Sequence, residues 1–157
     1  MPGHLLNVPL HKMSQRADCL AACASMILAY IGHPVAYDDL LRLLEIGPFG
    51  TPAHRIVRLA RWGVSVEYDE GTLEKLQVFV DSDQPVIVLV RTRELPYWQG
   101  LDTYHSVVVV GYDEAHIYVN DPYFDDAPKS VAIGNFVLAW LEMSYRYAVL
   151  YPQLTDR

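Results

Sequence analysis

The chain has 157 residues, of which 52% are apolar or aromatic and 20% are charged. This length and composition fit a single domain over residues 1–157 and exclude an intrinsically disordered chain. Nineteen acidic residues against twelve lysines and arginines give a net charge of −7. Because no basic excess is available to attract a phosphate backbone, we expect no nucleic-acid partner.

The sequence also disfavours membrane-embedded and secreted proteins. The longest apolar stretch, residues 20–31, is too short to span a bilayer. Residues 1–15 lack the basic start and the apolar block of a signal peptide. Two cysteines are too few for a disulfide framework. We therefore expect a cytoplasmic protein with no membrane segment.

Apolar spacing and helix-breaking residues predict mainly helices in the first half of the chain. Helices are expected over residues 19–31, 38 or 39 to 45, 51–62 and 72–80, with one strand over residues 64–68. The preceding segment, residues 4–15, has little helical period and predicts an extended arm. Asp18 suits the N-cap of the first helix, and Thr51 followed by Pro52 suits the start of the third.

The second half is rich in strand signals. Strands are expected over residues 86–90, 105–112, 116–120 and 144–150, with a last helix over residues 135–143. The first of these is apolar throughout, which is typical of a strand buried on both faces. Helices that precede strands, rather than alternating with them, predict an α+β fold.

Cys19 is the first candidate for chemistry. It falls in the first turn of a predicted helix, where free N–H groups and the helix dipole stabilise a thiolate. Cys23 lies one turn further on and is expected to be a buried structural residue. The six histidines are scattered and no second cysteine pair is present, so we expect no metal ion.

His105 and Asp121 form the second candidate. His105 begins one predicted strand, and Asp121 follows the end of the next, sixteen residues later. In an antiparallel hairpin the start of one strand lies beside the end of the other, so the carboxylate could orient the imidazole toward a nucleophile. Asn120 is adjacent to Asp121, but strand alternation points it to the opposite face.

Three segments together resemble a known family: QRADCLAAC, HSVVVVGY and YVNDPY, within residues 8–122. They are similar to the papain-like cysteine peptidases, and most similar to the double-glycine leader peptidases that trim bacteriocin precursors and to their stand-alone relatives. The resemblance implies a papain-like fold with an N-terminal helical half and a C-terminal antiparallel sheet. It also implies thiol chemistry without a cofactor.

Carried over by position, the resemblance implies a role for each of four residues. Cys19 would be the nucleophile, His105 the general base and acid, and Asp121 the group that orients the imidazole. Gln15 would donate its side-chain amide to the oxyanion. The sequence departs from the family pattern in two places: Leu20 stands where glycine is usual, and only three residues separate Gln15 from Cys19.

The sequence thus predicts a cysteine peptidase that hydrolyses a peptide or a small amide through an acyl-enzyme. Trp98 and Tyr104, in the loop before His105, are candidate walls of a substrate cleft. Two alternatives remain open: an acyltransferase on the same fold, and a catalytically silent domain that binds a peptide.

A row of basic side chains marks one side of the third predicted helix: His54, Arg55, Arg58 and Arg61. A solvated helix face is the expected interpretation, and a site for an acidic ligand is the alternative.

Overall fold

A computed structural model describes residues 3–15 and 17–152 of the chain. Arg16, inside the QRADCLAAC segment, lies outside the described residues. The first half contains β1 (His4–Leu5), α1 (Cys19–Tyr30), α2 (Tyr37–Leu44), a 3₁₀ helix (Ala53–Trp62), β2 (Val64–Glu70) and α3 (Leu73–Asp81). The second half contains β3 (Val86–Arg91), β4 (Tyr104–Tyr112), β5 (His116–Asn120), β6 (Lys129–Ala132), α4 (Ile133–Leu141) and β7 (Arg146–Pro152). Two short 3₁₀ turns, Thr92–Glu94 and Pro96–Trp98, lie between β3 and β4.

Within the described residues, seven strands form one sheet in the order β2-β7-β3-β4-β5-β6, and β1 pairs with the far end of β4. Every pair is antiparallel. The central strands β3 and β4 are almost continuously buried, as their apolar sequences predict. The predicted α+β layout is therefore confirmed.

Helix α1 packs against β4 and carries Cys19 at its first residue. Eight of its twelve residues are buried, so the helix is apolar on nearly all sides. Three of its four alanines, Ala21, Ala22 and Ala24, have no exposed surface, and their small side chains allow close packing in the core. The nucleophile candidate is thus fixed to the most deeply buried helix of the chain.

Asp18 occupies the predicted N-cap position of α1 without its capping hydrogen bond, and the predicted start of the third helix was wrong. Asp18 precedes α1, but its carboxylate makes no capping hydrogen bond; instead it accepts from the Ser14 hydroxyl and from the Gln15 N–H at 3.2 Å. The third helix begins at Ala53, because the Thr51 hydroxyl donates to the Leu44 carbonyl at 2.7 Å and is used to close the preceding loop.

Strand β1 lies so close to β4 that Gly111 has no room for a side chain. A Cβ at Gly111 would lie 2.5 Å from the carbonyl oxygen of His4. We expect Gly111→Ala to displace the arm and to lower the free energy of unfolding by about 1–3 kcal/mol, measured by urea denaturation. Gly134 is the control, because a Cβ there meets nothing within 4 Å and Gly134→Ala should not destabilise the protein. Equal stability of the two variants would contradict this packing.

Candidate active site

The Cys19 thiol is half-buried at the start of α1 and faces His105 and Ser106. Burial on its own raises the pKa of Cys19, but hydrogen bonding and charge from His105, with hydrogen bonds from Ser106, outweigh it. The net pKa of the Cys19 thiol lies below its ordinary value. Cys19 therefore has the electrostatic setting of a thiolate.

Cys23 has the opposite environment one helical turn deeper. It is completely buried, and its thiol donates to the Ser106 hydroxyl at 3.6 Å. Burial raises the pKa of Cys23 well above its ordinary value. The thiol of Cys23 is consequently neutral and enclosed, as the sequence predicts for a structural cysteine.

His105 is buried at the second residue of β4, and its Nε2 lies 2.7 Å from Oδ1 of Asp121. Because Nε2 is hydrogen-bonded to Asp121, Nδ1 is the ring nitrogen that can interact with the Cys19 thiol. Burial lowers the pKa of His105, but the bonds to Asp121 and then to Cys19 raise it to about 9. The raised pKa favours the cationic form of His105, which interacts with two groups that carry or can carry negative charge.

The register of the β4–β5 hairpin explains why His105 meets Asp121. Val108 pairs with Asn120, so continuing the ladder by one residue places Asp121 opposite Val107. His105 lies two residues further along β4 and points to the same face as Val107. Asn120 points the other way and donates to the Val8 carbonyl at 3.0 Å.

The carboxylate of Asp121 is fully buried and accepts four hydrogen bonds. Its Oδ2 accepts from the Tyr97 hydroxyl at 2.7 Å and from the Trp98 indole N–H at 2.9 Å. Its Oδ1 accepts from His105 and from the backbone N–H of Tyr123 at 3.0 Å. Burial raises the pKa of Asp121, but these donors, His105 first, bring it below its ordinary value.

Trp98 does not form a wall of the cleft, which corrects the prediction made for it. Its ring lies 5.0 Å from the His105 ring in an edge-to-face arrangement and is almost fully buried. Sequence reasoning missed that Tyr97 and Trp98 are donors to Asp121. The sequence did contain a signal for this role, because Tyr97 and Trp98 carry an O–H and an N–H donor in the loop before His105.

Cys19 and His105 border an open cleft of about 510 Å³. Tyr104 lines this cleft and is 68% exposed, which places it where a substrate could contact it. Gln15 is exposed, and it is not one of the residues that line the cleft. The structure thus brings Cys19, His105 and Asp121 together and leaves the Gln15 side chain outside this group.

Residues 3–15 and 17–152 contain no cluster of three or more His, Cys, Asp or Glu side chains that could hold a metal ion. None of the helices in those residues has the length and apolar character needed to cross a bilayer.

Solved structures that share this fold include a C39-like peptidase and two peptidase domains of transporters. A C39-like peptidase from Bacillus anthracis is 18% identical with a TM-score of 0.79, covering 100% of this chain and 99% of that one. A double glycine motif protease from an AMS/PCAT transporter, in complex with its leader peptide, is 19% identical with a TM-score of 0.73, covering 98% and 99%. The peptidase domain of Streptococcus ComA is 21% identical with a TM-score of 0.75, covering 94% and 100%.

The sequence itself matches the Peptidase_C39 like family over residues 5–148. The chain therefore belongs to the Peptidase_C39 like family, and the predicted papain-like fold is confirmed. Comparison with curated protein sequences gives no match.

The two thiols provide a test of the site's electrostatics. Near pH 6 we expect iodoacetamide to alkylate Cys19 at least about tenfold faster than Cys23, because only Cys19 is accessible and has a lowered pKa. Mass-spectrometric mapping of the native protein measures both rates. In denaturant the two rates should converge. In His105→Ala the rate at Cys19 should fall, and a rate that does not depend on His105 would contradict the assigned cause of the shift.

Proposed function

We propose that the chain is a cysteine peptidase whose catalytic residues are Cys19, His105 and Asp121. The observation that carries the proposal is the bond between His105 Nε2 and the buried Asp121 carboxylate, which leaves Nδ1 on the side of Cys19. The lowered pKa of Cys19 and the raised pKa of His105 favour a thiolate–imidazolium pair. Such a pair is ready to attack before substrate arrives.

The reaction follows from this arrangement. The Cys19 thiolate attacks the carbonyl carbon of the scissile bond and forms a tetrahedral oxyanion. The imidazolium of His105 gives its Nδ1 proton to the leaving amine, the C–N bond breaks, and a thioester to Cys19 remains. His105 then takes a proton from water, and the hydroxide attacks the thioester. The C–S bond breaks, the carboxylic acid product is released, and the Cys19 thiolate and the His105 imidazolium are restored.

Asp121 acts on this sequence by holding the imidazole. A carboxylate on Nε2 fixes the ring orientation and stabilises the imidazolium while the thiolate is present. Trp98 covers this bond, and exclusion of water strengthens it. The other three hydrogen bonds of Asp121, from Tyr97, Trp98 and the Tyr123 N–H, hold the carboxylate in place.

The substrate we propose is a peptide segment that enters the open cleft. The C39-fold protease of the AMS/PCAT transporter was solved with a leader peptide, which supports peptide binding by this fold. We propose that one domain spanning residues 1–157 suffices for the reaction. The reducing cytoplasm is the proposed location, because it keeps the nucleophile as a thiol.

Replacement of the base gives a direct test of activity. We expect His105→Ala to lower kcat by about 10²–10⁴-fold, the usual contribution of a general base. Asp121→Asn should lower kcat by a smaller factor, because the amide retains a ring partner but carries no charge. Turnover is measured by mass spectrometry on a mixture of peptides of defined sequence, with Cys19→Ala as the blank.

The pH profile and the product distinguish the alternatives. The wild-type kcat/KM should decline as His105 loses its proton near pH 9, and on the acid side as the thiolate is protonated. An amide product formed with an added amine would identify acyl transfer in place of hydrolysis. A folded His105→Ala variant with unchanged turnover would overturn the proposal, and a Cys19 that no acylating probe labels would leave a silent peptide-binding domain.

Gln15 is proposed as the side-chain donor to the oxyanion. Since Gln15 is exposed and does not line the cleft, it can serve only if its side chain rotates toward the substrate or its segment moves. We expect Gln15→Ala to lower kcat by about 10²–10³-fold with little change in ground-state binding. A change in kcat within about twofold would exclude this role, and the matched variant Gln15→Glu shows whether the amide N–H is the group required.

A further inference from the structure

Phe49 is a large apolar side chain that does not pack into the core formed by the described residues. It is fully exposed, yet it stands at the tip of a tight turn and lines the cleft that contains Cys19 and His105. The turn is closed by reciprocal backbone hydrogen bonds between Gly47 and Gly50, at 3.0 and 3.1 Å. Gly50 has a φ of +96°, a conformation that glycine adopts without strain.

Two arginines of the 3₁₀ helix form hydrogen bonds with the segment that precedes this turn. Arg55 donates to the Leu44 and Glu45 carbonyls, each at 3.2 Å. Arg58 donates to the Leu43 carbonyl and to the Glu45 carboxylate, each at 3.0 Å. Arg55 and Arg58 therefore anchor the C-terminal end of α2, from which the turn that carries Phe49 begins.

Tyr104 is a second exposed aromatic residue in the same cleft, contributed by the sheet. The Arg91 guanidinium lies 4.6 Å from the centre of its ring. Asp102 holds that guanidinium through two hydrogen bonds, at 3.0 and 2.6 Å. The Tyr104 ring is thus supported on one side by a cation–π contact, with its exposure retained.

Apolar side chains make up much of the cleft lining, together with the hydroxyl groups of Thr51, Thr103 and Ser106. Leu20, Pro48, Ala53, Leu89 and Met143 contribute to it. Among the residues that line it in the described part of the chain, none is Asp, Glu, Lys or Arg. Cys19 and His105 also line the cleft, but they interact with each other. Among the described residues, a charged substrate side chain at the two rings would therefore lose hydration without gaining a free partner, whereas an apolar one would bury surface.

We propose that Phe49 and Tyr104 are specificity-determining residues that receive an uncharged, apolar side chain of a peptide substrate beside the scissile bond. The inference rests on the proposed peptidase function and adds the substrate class to it. Phe49 comes from the helical half of the chain and Tyr104 from the sheet half, so a bound side chain would contact both halves of the cleft.

The test replaces Phe49, whose ring supports no other side chain. On peptides that differ only in one residue near the cleavage site, the wild type should prefer leucine or phenylalanine over aspartate or lysine. Phe49→Ala should raise KM for the apolar peptides about tenfold with kcat nearly unchanged, the effect of lost hydrophobic contact. Phe49→Leu should restore most of the loss, and Phe49→Lys should shift the preference toward aspartate.

Val78→Ala is the matched control, because Val78 is an apolar residue on α3 that is 61% exposed and does not line the cleft. It should leave the specificity unchanged. Cleavage without apolar preference, or an unchanged KM in Phe49→Ala, would overturn the inference.

A binding measurement separates this inference from the proposed function. The dissociation constant of the same peptides is measured by calorimetry on Cys19→Ala, with and without Phe49→Ala. Apolar-selective binding that weakens in the double variant supports the inference even where the wild type cleaves nothing, and in that case only the peptidase proposal fails. Binding that does not depend on Phe49 overturns the inference whatever the turnover.

Discussion

The site depends on one buried negative charge, the carboxylate of Asp121. Removing a carboxylate from water is costly unless it is paired and hydrogen-bonded, and here four donors surround it. The donors come from three places: Tyr97 and Trp98 in the loop before β4, His105 on β4, and the Tyr123 N–H in the turn after β5. Satisfying this single group therefore positions the loop, the imidazole and the turn relative to one another.

The charged form of Asp121 stabilises the charged form of His105, which in turn stabilises the thiolate of Cys19. Burial opposes ionisation at each of the three groups, yet the pKa of each moves toward its charged form. This happens because each group has an oppositely charged neighbour in a medium of low dielectric constant. Cys23 shows what burial does without such a neighbour: it is on the same helix, one turn away, and its pKa rises. Position on the fold, not residue type, separates the two thiols.

Local signals in the sequence predicted most helices and strands and the three residues Cys19, His105 and Asp121. Contacts between segments that are distant in the sequence could not be predicted from such signals. Cys19 was identifiable from a helix start, and His105 with Asp121 from the length of a hairpin. Strand β6 was missed because it follows a polar, proline-containing stretch, and its pairing with β5 supplies the stability that its sequence does not indicate. The hydrogen-bonding role of the Asp18 side chain and the place of Trp98 were misassigned for the same reason, since their partners are fixed only by folding.

The short interval between Gln15 and Cys19 has a structural counterpart in the turn that precedes α1. The Asp18 N–H donates to the Gln15 carbonyl at 3.1 Å, while the Asp18 carboxylate accepts from Ser14 and from the Gln15 N–H. Asp18 is a residue type that often caps helices, but here its hydrogen bonds close the turn before α1. The turn holds the Gln15 backbone beside the helix start and leaves the residue exposed. Any closure that brings the Gln15 amide to an oxyanion must therefore rotate the side chain, or break bonds to a carboxylate that is almost fully buried. Rotation is the less costly of these two changes, because breaking the bonds would leave buried polar groups unpaired.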